Sequence, residues 1–406
     1  MKIANIRAVR EGNNITIFAD CKIRPVGTDT IYFQFDKKYE PYLAVDASPF
    51  VAGLLVAAMH FKEDIFVEGQ LSETLYRGIE RIMETMLSWR IGLHPIHIQG
   101  HTLVKDDFSP AHVATFFSGG VDSFYTYLNH KDDAVDPIDH FILINGNDIV
   151  LGNEALWSAT QNNVHQIAAQ GSIAVIEVET NLQALLEPML SPDYTHGGTL
   201  AAVGLCLRKG IKKLYIPASF EESDNIPWGS HPAIDGYWST ETTSFVHDGA
   251  DRSRFQKTDF IARFPIVLDY VRVCYKNNKG QYNCGACEKC VRTMIGLYAA
   301  GKLDDAKTFP HTFDLKQVTR VIAGSVQEVV DSGATYYYAI DAYNLDILRE
   351  KNLNPQLQKA ILEGLKKKPN RYRSLVERCI KKIIFLDHRY ARGFFHRWWL
   401  KTTSHH

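Results

Sequence analysis

The chain has 406 residues, 45% of them apolar and 22% charged, a balance that excludes disordered, collagen-like and disulfide-scaffold classes. A chain this long can bury a large core, so it needs neither disulfide nor metal merely to fold, and two or three domains are expected. The net charge of −1 hides a gradient: residues 351–406 carry 14 Lys or Arg against 3 Asp or Glu, which is +11, so residues 1–350 sum to −12.

Residues 1–105 read as a small α+β accessory domain. Strand-like runs are Asn14–Phe18, Thr30–Phe35, Ile65–Glu68 and Pro95–Gln99, and apolar residues at helical spacing predict a helix over Glu73–Trp89. The opening MKIANIRAVREGNN has Arg7, Arg10 and Glu11 where a secretory leader would be apolar. The longest apolar stretch, Phe50–Phe61, is too short to span a bilayer. A cytoplasmic protein without a transmembrane segment is therefore expected.

Residues 106–300 change rhythm. Strands are predicted at Val113–Phe117, Phe141–Ile144, Ile173–Val178 and Leu214–Ile216, with helices at Asp122–Leu128, Glu154–Ala169 and Thr199–Arg208 and a C-cap at Gly210. Such alternation implies an α/β fold, a doubly wound and mostly parallel sheet whose ligands sit at the carboxyl ends of the strands. Residues 219–256 are polar, aromatic and aperiodic, and read as a long functional loop.

The sharpest local signal is Phe117-Ser118-Gly119-Gly120-Val121-Asp122-Ser123, which follows an apolar strand and opens a helix. Two glycines let backbone N–H groups approach an anion, and the helix start adds unpaired donors. Ser118 and Ser123 offer hydroxyls; Asp122 facing a phosphate implies a bridging Mg²⁺. No Walker GxxxxGK[ST] is present. The segment instead resembles the SGGxDS signature of the PP-loop ATP pyrophosphatases. That resemblance implies a HUP-like core that binds ATP at Ser118–Ser123, attack on the α-phosphate, and departure of pyrophosphate.

Seven cysteines are present, four of them within Cys274-x9-Cys284-x2-Cys287-x2-Cys290. Four thiolates suit tetrahedral Zn²⁺ and close its coordination sphere, which points to a structural zinc; an iron–sulfur cluster is the competing reading. Cys21, Cys206 and Cys379 are isolated and read as small buried apolar residues.

Taken together, a PP-loop followed by VCYKNNKGQYNCGACEKCVRT resembles the 7-cyano-7-deazaguanine synthase (QueC-like) family over roughly residues 111–300. The resemblance implies ATP-dependent adenylation of a 7-carboxy-7-deazaguanine-like heterocyclic carboxylate and C–N bond formation. It further implies a phosphate-facing lysine, assigned to Lys257 in Ser253–Lys257, backbone contact with adenine near Asn145-Gly146, and a polar turn at Thr195–Thr199 before a helix. Asp122 and Lys257 are thus the candidate catalytic residues. The segment SFEESDNIPWGSHPAIDGYW departs from the family's substrate loop; Trp228, His231, Asp235 and Trp238 are its candidates for holding a heterocycle.

Residues 301–406 read as a helical, basic extension. The long terminal additions suggest a divergent branch, by analogy with long forms in anti-phage clusters, with a protein amine as acceptor. The basic, aromatic segment from Lys366 onward fits docking on the body, tRNA, an anionic membrane surface or an acidic partner. A homodimer is compatible with the same features. Two further readings remain open: a PP-loop tRNA-modifying enzyme, and a non-catalytic nucleotide-binding scaffold.

Overall fold

The computed structural model describes residues 1–24, 27–187, 189–222, 226–276, 281–332 and 345–367, with the side chains of 325–332 excepted. The first strands, β1 (Lys2–Glu11), β2 (Asn14–Ile23) and β3 (Gly27–Asp36), form an antiparallel meander. The apolar stretch at Phe50–Phe61 lies in α1 (Ser48–Phe61), whose residues Phe50 to Met59 are all buried. Among the described residues no helix is long and apolar enough to cross a membrane. β4 (Ile65–Ser72), α2 (Glu73–Ser88) and β5 (Ile98–Val104) follow. Ser72 caps α2 by accepting from the Leu75 N–H.

The chain then alternates β6 (His112–Phe116), α3 (Val121–His130), β7 (His140–Asn145), α4 (Glu154–Gly171) and β8 (Ala174–Thr180). After these come α5 (Leu182–Leu186), α6 (Pro192–Cys206), β9 (Ile211–Pro217), β10 (Ser244–Asp248), α7 (Arg254–Ile261), α8 (Pro265–Tyr270), α9 (Glu288–Ala299) and α10 (Leu315–Ser332). The fold is α/β, with one mostly parallel ten-stranded sheet ordered β10-β9-β6-β7-β8-β3-β2-β1-β4-β5. Antiparallel pairing of Phe33 with Thr180 joins β3 to β8, so the sheet runs through the boundary expected near residue 105.

The two faces of β6 bury different cores. Ala114 and Phe116 join a cluster with α1 and α6, whereas Val113 packs with α3, α4 and α7 to α9. A third cluster holds α10 against the helix Pro355–Leu365 through Val318, Ile322, Leu357 and Ile361. The basic segment from Lys368, and Cys379 within it, lie outside the described residues.

Several local expectations need correction. β1 was not anticipated, because Arg7, Arg10 and Glu11 break its apolar pattern on an exposed side. The expected loop 219–256 contains a 3-10 turn, Asp235–Trp238, with Asp235 and Trp238 fully buried, and the edge strand β10. Gly210 is no C-cap: a β-carbon there would fall 2.3 Å from the Tyr42 ring, so the glycine serves close packing. Thr195–Thr199 is no turn either, because it lies inside α6, whose cap is Ser191. There Gly197 and Gly198 let backbone from the 229 loop and from α1 approach the helix.

Candidate functional site

The five strands that follow one another from β6 to β10 lie side by side in the order β8-β7-β6-β9-β10. Chain direction across the sheet therefore reverses between β6 and β9. In doubly wound sheets a crevice opens at that point, beyond the carboxyl ends of the strands. The glycine segment leaves β6 at this point of the sheet.

Gly119 takes φ +74°, a conformation that suits glycine, and Gly120 is the N-cap of α3. No side chain caps that helix, so its first N–H groups stay available to an external acceptor. The Ser123 hydroxyl donates to the Gly120 carbonyl at 3.0 Å and the Arg272 N–H donates to the Gly119 carbonyl at 2.8 Å, which fixes the turn from both sides. Ser118 and Val121 flank the glycines, with Val121 buried.

Lys257 comes from α7, whose first turn carries a full capping box between Ser253 and Gln256. Lys257 is 1% exposed, donates to the Ala218 carbonyl at 2.6 Å and lies 3.6 Å from Asp122 Oδ1. Arg254, one helical turn earlier, is ion-paired with Asp122. Burial acts to raise the Asp122 pKa, but Arg254 and Lys257 outweigh it and hold the group below its ordinary value. For Lys257 the balance is reversed: burial lowers its pKa against the pull of Asp122.

Arg272 is also buried, and its Nε has no hydrogen-bond partner among the described residues. Two cations of α7, Arg254 and Lys257, thus face the Asp122 carboxylate, with Arg292 of α9 acting on it more weakly. Arg272 meets the turn through its backbone N–H and points its guanidinium at the Cys274 carbonyl, 3.0 Å away. Arg254 was missed in sequence although its i, i+3 spacing to Lys257 was readable. Arg272 gave no signal, since only the fold brings it beside Gly119.

Asn145 ends β7, and Asn145 and Gly146 sit one strand away from the loop. Its Nδ2 donates to Glu179 at 3.0 Å, while its buried Oδ1 has no partner among the described residues. Gly146 takes φ +94° and faces the Thr180 carbonyl so closely that a β-carbon would be 2.0 Å away.

Of the four heterocycle candidates, two are structural: Trp238 is core, and Asp235 is a buried hub. Asp235 accepts from the Ser230 hydroxyl at 2.6 Å, pairs with His247 Nδ1 at 2.7 Å and accepts the His231 N–H at 3.3 Å. Trp228 sits beside His196 and Phe220 at centroid distances of 5.3 and 5.0 Å, with its buried indole N–H lacking a hydrogen-bond partner among the described residues.

Cys274, Cys284, Cys287 and Cys290 converge, with their sulfurs within 4.8 Å of one another. The Cys284–Cys290 separation of 3.9 Å is close to the ~3.8 Å between sulfurs around a tetrahedral ion with bonds of about 2.3 Å. Gly285 takes φ +64° in the first knuckle, and the Ala286 and Cys287 N–H groups both donate to the Cys284 sulfur. Cys287 is the N-cap of α9, where a thiolate is favoured. The four residues can hold a metal ion such as zinc. Cys21 and Cys206 are fully buried, and burial pushes the Cys21 thiol up to about 12.

No family model, no curated protein and no solved structure matches the chain.

Proposed function

We propose that this chain is an ATP-dependent, adenylate-forming enzyme of the PP-loop type, QueC-like, that activates a 7-carboxy-7-deazaguanine-like carboxylate for C–N bond formation. The observation that carries the reading is the uncapped glycine turn at the sheet's reversal point, beside the Asp122 carboxylate that Lys257 and Arg254 face. One carboxylate between two cations leaves one excess positive charge beside the turn, which suits pyrophosphate.

In this reading the first N–H groups of α3 and the hydroxyl of Ser118 hold the β- and γ-phosphates, while Ser123 braces the turn through its hydrogen bond to the Gly120 carbonyl. Lys257 stabilises charge that grows on the α-phosphate as the substrate carboxylate attacks and the bond to pyrophosphate breaks. The buried Asp122 Oδ1, which has no hydrogen-bond partner among the described residues, is an oxygen donor suited to Mg²⁺. When bound there, Mg²⁺ would offset phosphate charge. The cysteine set would hold a structural Zn²⁺ that fastens the start of α9 to the segment carrying Arg272.

The test is release of AMP and pyrophosphate from ATP that depends on 7-carboxy-7-deazaguanine and ammonium. Asp122→Ala should abolish it, and undiminished turnover in that variant would refute the assignment.

A further inference from the structure

Among the buried polar groups that the proposed chemistry does not use is the constellation around Asp235. Strand register fixes where it lies. His247 pairs with Ile216, and Tyr215 pairs with Thr115, so His247 is level with Phe116, the last residue of β6. Two strand spacings of about 4.8 Å separate them, or ~10 Å. Both point to the face that packs on α6, since Phe116, Ile216 and Phe245 share that cluster.

Three histidines gather here, and their ring nitrogens are committed differently. His196 Nδ1 contacts the Pro192 carbonyl at 2.9 Å, and burial lowers its pKa. His231 Nδ1 accepts the Ala233 N–H at 3.0 Å, so its proton sits on Nε2. His247 alone is paired through Nδ1 with a carboxylate, the fully buried Asp235. That pairing puts the proton on Nδ1, leaves the lone pair on Nε2, and supports the imidazolium once Nε2 is protonated. A buried carboxylate that orients an imidazole, here ~10 Å across the sheet from the end of β6, is an arrangement for base catalysis.

We infer that His247, oriented by Asp235, is the general base that takes a proton from the nitrogen attacking the activated carboxylate. The inference rests on the adenylation reading above. As the C–N bond forms, the bond from carbon to the AMP oxygen breaks and AMP leaves with that electron pair. The proton lost by nitrogen goes to His247 Nε2.

Three assays on the full chain separate the steps, with 7-carboxy-7-deazaguanine as the carboxylate. Exchange of labelled pyrophosphate into ATP reads activation. Amide formation from ammonium reads transfer that needs a base. Hydroxamate formation from hydroxylamine, uncharged near neutral pH and strongly nucleophilic, reads transfer that does not.

His247→Gln should keep exchange and hydroxamate formation, and lower amide formation by about 10²–10⁴-fold. Asp235→Asn, which leaves the imidazole in place, should give the same split and serves if His247→Gln does not fold. Amide formation at the wild-type rate would overturn the role of His247 while leaving activation intact; equal loss in all three assays by a folded variant would overturn it too, by showing a part in activation instead. Absence of exchange in the wild-type protein would remove the adenylation reading, and this inference with it.

Discussion

The ammonium of Lys257 stands 3.6 Å from the Asp122 carboxylate, although 135 residues separate the two in the chain. The same ammonium holds the carbonyl of Ala218 just beyond β9, so one buried cation ties both sides of the sheet's reversal point.

A methionine at position 257 fills similar space without the charge. Lys257→Met should therefore fold, and should lower the rate of pyrophosphate release by about 10²–10³-fold, the cost of losing one preorganised transition-state donor. Lys257→Arg should not restore the rate, because a planar guanidinium does not fit a pocket made for a compact ammonium. Steady-state pyrophosphate release decides the matter, and a rate for Lys257→Met within twofold of wild type would remove Lys257 from the chemistry.

The cysteine set makes a separate prediction about stability. Purified protein should carry one Zn²⁺ per chain by native mass spectrometry. Stripping it with a strong chelator, or making Cys290→Ser, should expose the segment from Arg272 to α9 to protease. Structural zinc contributes on the order of 10 kcal/mol to local folding, so the effect on that segment should be large. Arg272 donates its N–H to Gly119, and metal loss should therefore also weaken pyrophosphate binding. Absence of zinc together with an iron-cluster absorbance would favour the competing iron–sulfur assignment.

What could be read from the sequence follows the range of the interactions involved. The glycine turn, the four cysteines and the alternation from β6 to β9 are local signals, carried by adjacent residues, and the structure has the turn between β6 and α3 and the four sulfurs together. The strand β10 escaped because it is a short edge strand in a polar segment, held by pairing with β9. Asp235 looked like a candidate for touching a ligand. Its actual partners, Ser230 and His247, lie five and twelve residues away, and only the fold makes them its hydrogen-bond set. Continuity of the first three strands with the central sheet was equally hidden, since pairing of β3 with β8 leaves no mark in either segment alone.

His130 links the helix that starts at the glycine turn to the edge of the sheet. Its Nε2 meets Asp248 Oδ1 at 2.7 Å, and that hydrogen bond raises its pKa above 6.5 against the effect of burial. The charged form also sits in the last turn of α3, where the helix dipole favours it. A raised folded-state pKa gives stability that is fully present below the unfolded value and is lost as pH rises through the folded value. Unfolding by denaturant, followed from about pH 6 to about pH 9, should show this contribution disappear, with a size of about 1.5–3 kcal/mol for a hydrogen bond to a charged group. His130→Gln should lack that part of the slope. An identical pH slope in the variant would mean that the pair contributes nothing.

The close approach of α6 to the loop at residue 229 can be tested with one carbon atom. A β-carbon on Gly197 would lie 1.8 Å from the carbonyl oxygen of Gly229, which is backbone and cannot swing aside. Gly197→Ala must therefore push the segment that carries Trp228, Ser230 and His231 away from the helix, at about 1–3 kcal/mol for overpacking. The glycine turn after β6 touches neither residue, so binding of pyrophosphate should survive while activation of the carboxylate falls sharply. Calorimetric titration with pyrophosphate and the exchange assay read the two properties independently. Equal loss of both would mean that the 229 loop supports the phosphate site; loss of neither would mean that the loop has no part in holding the carboxylate.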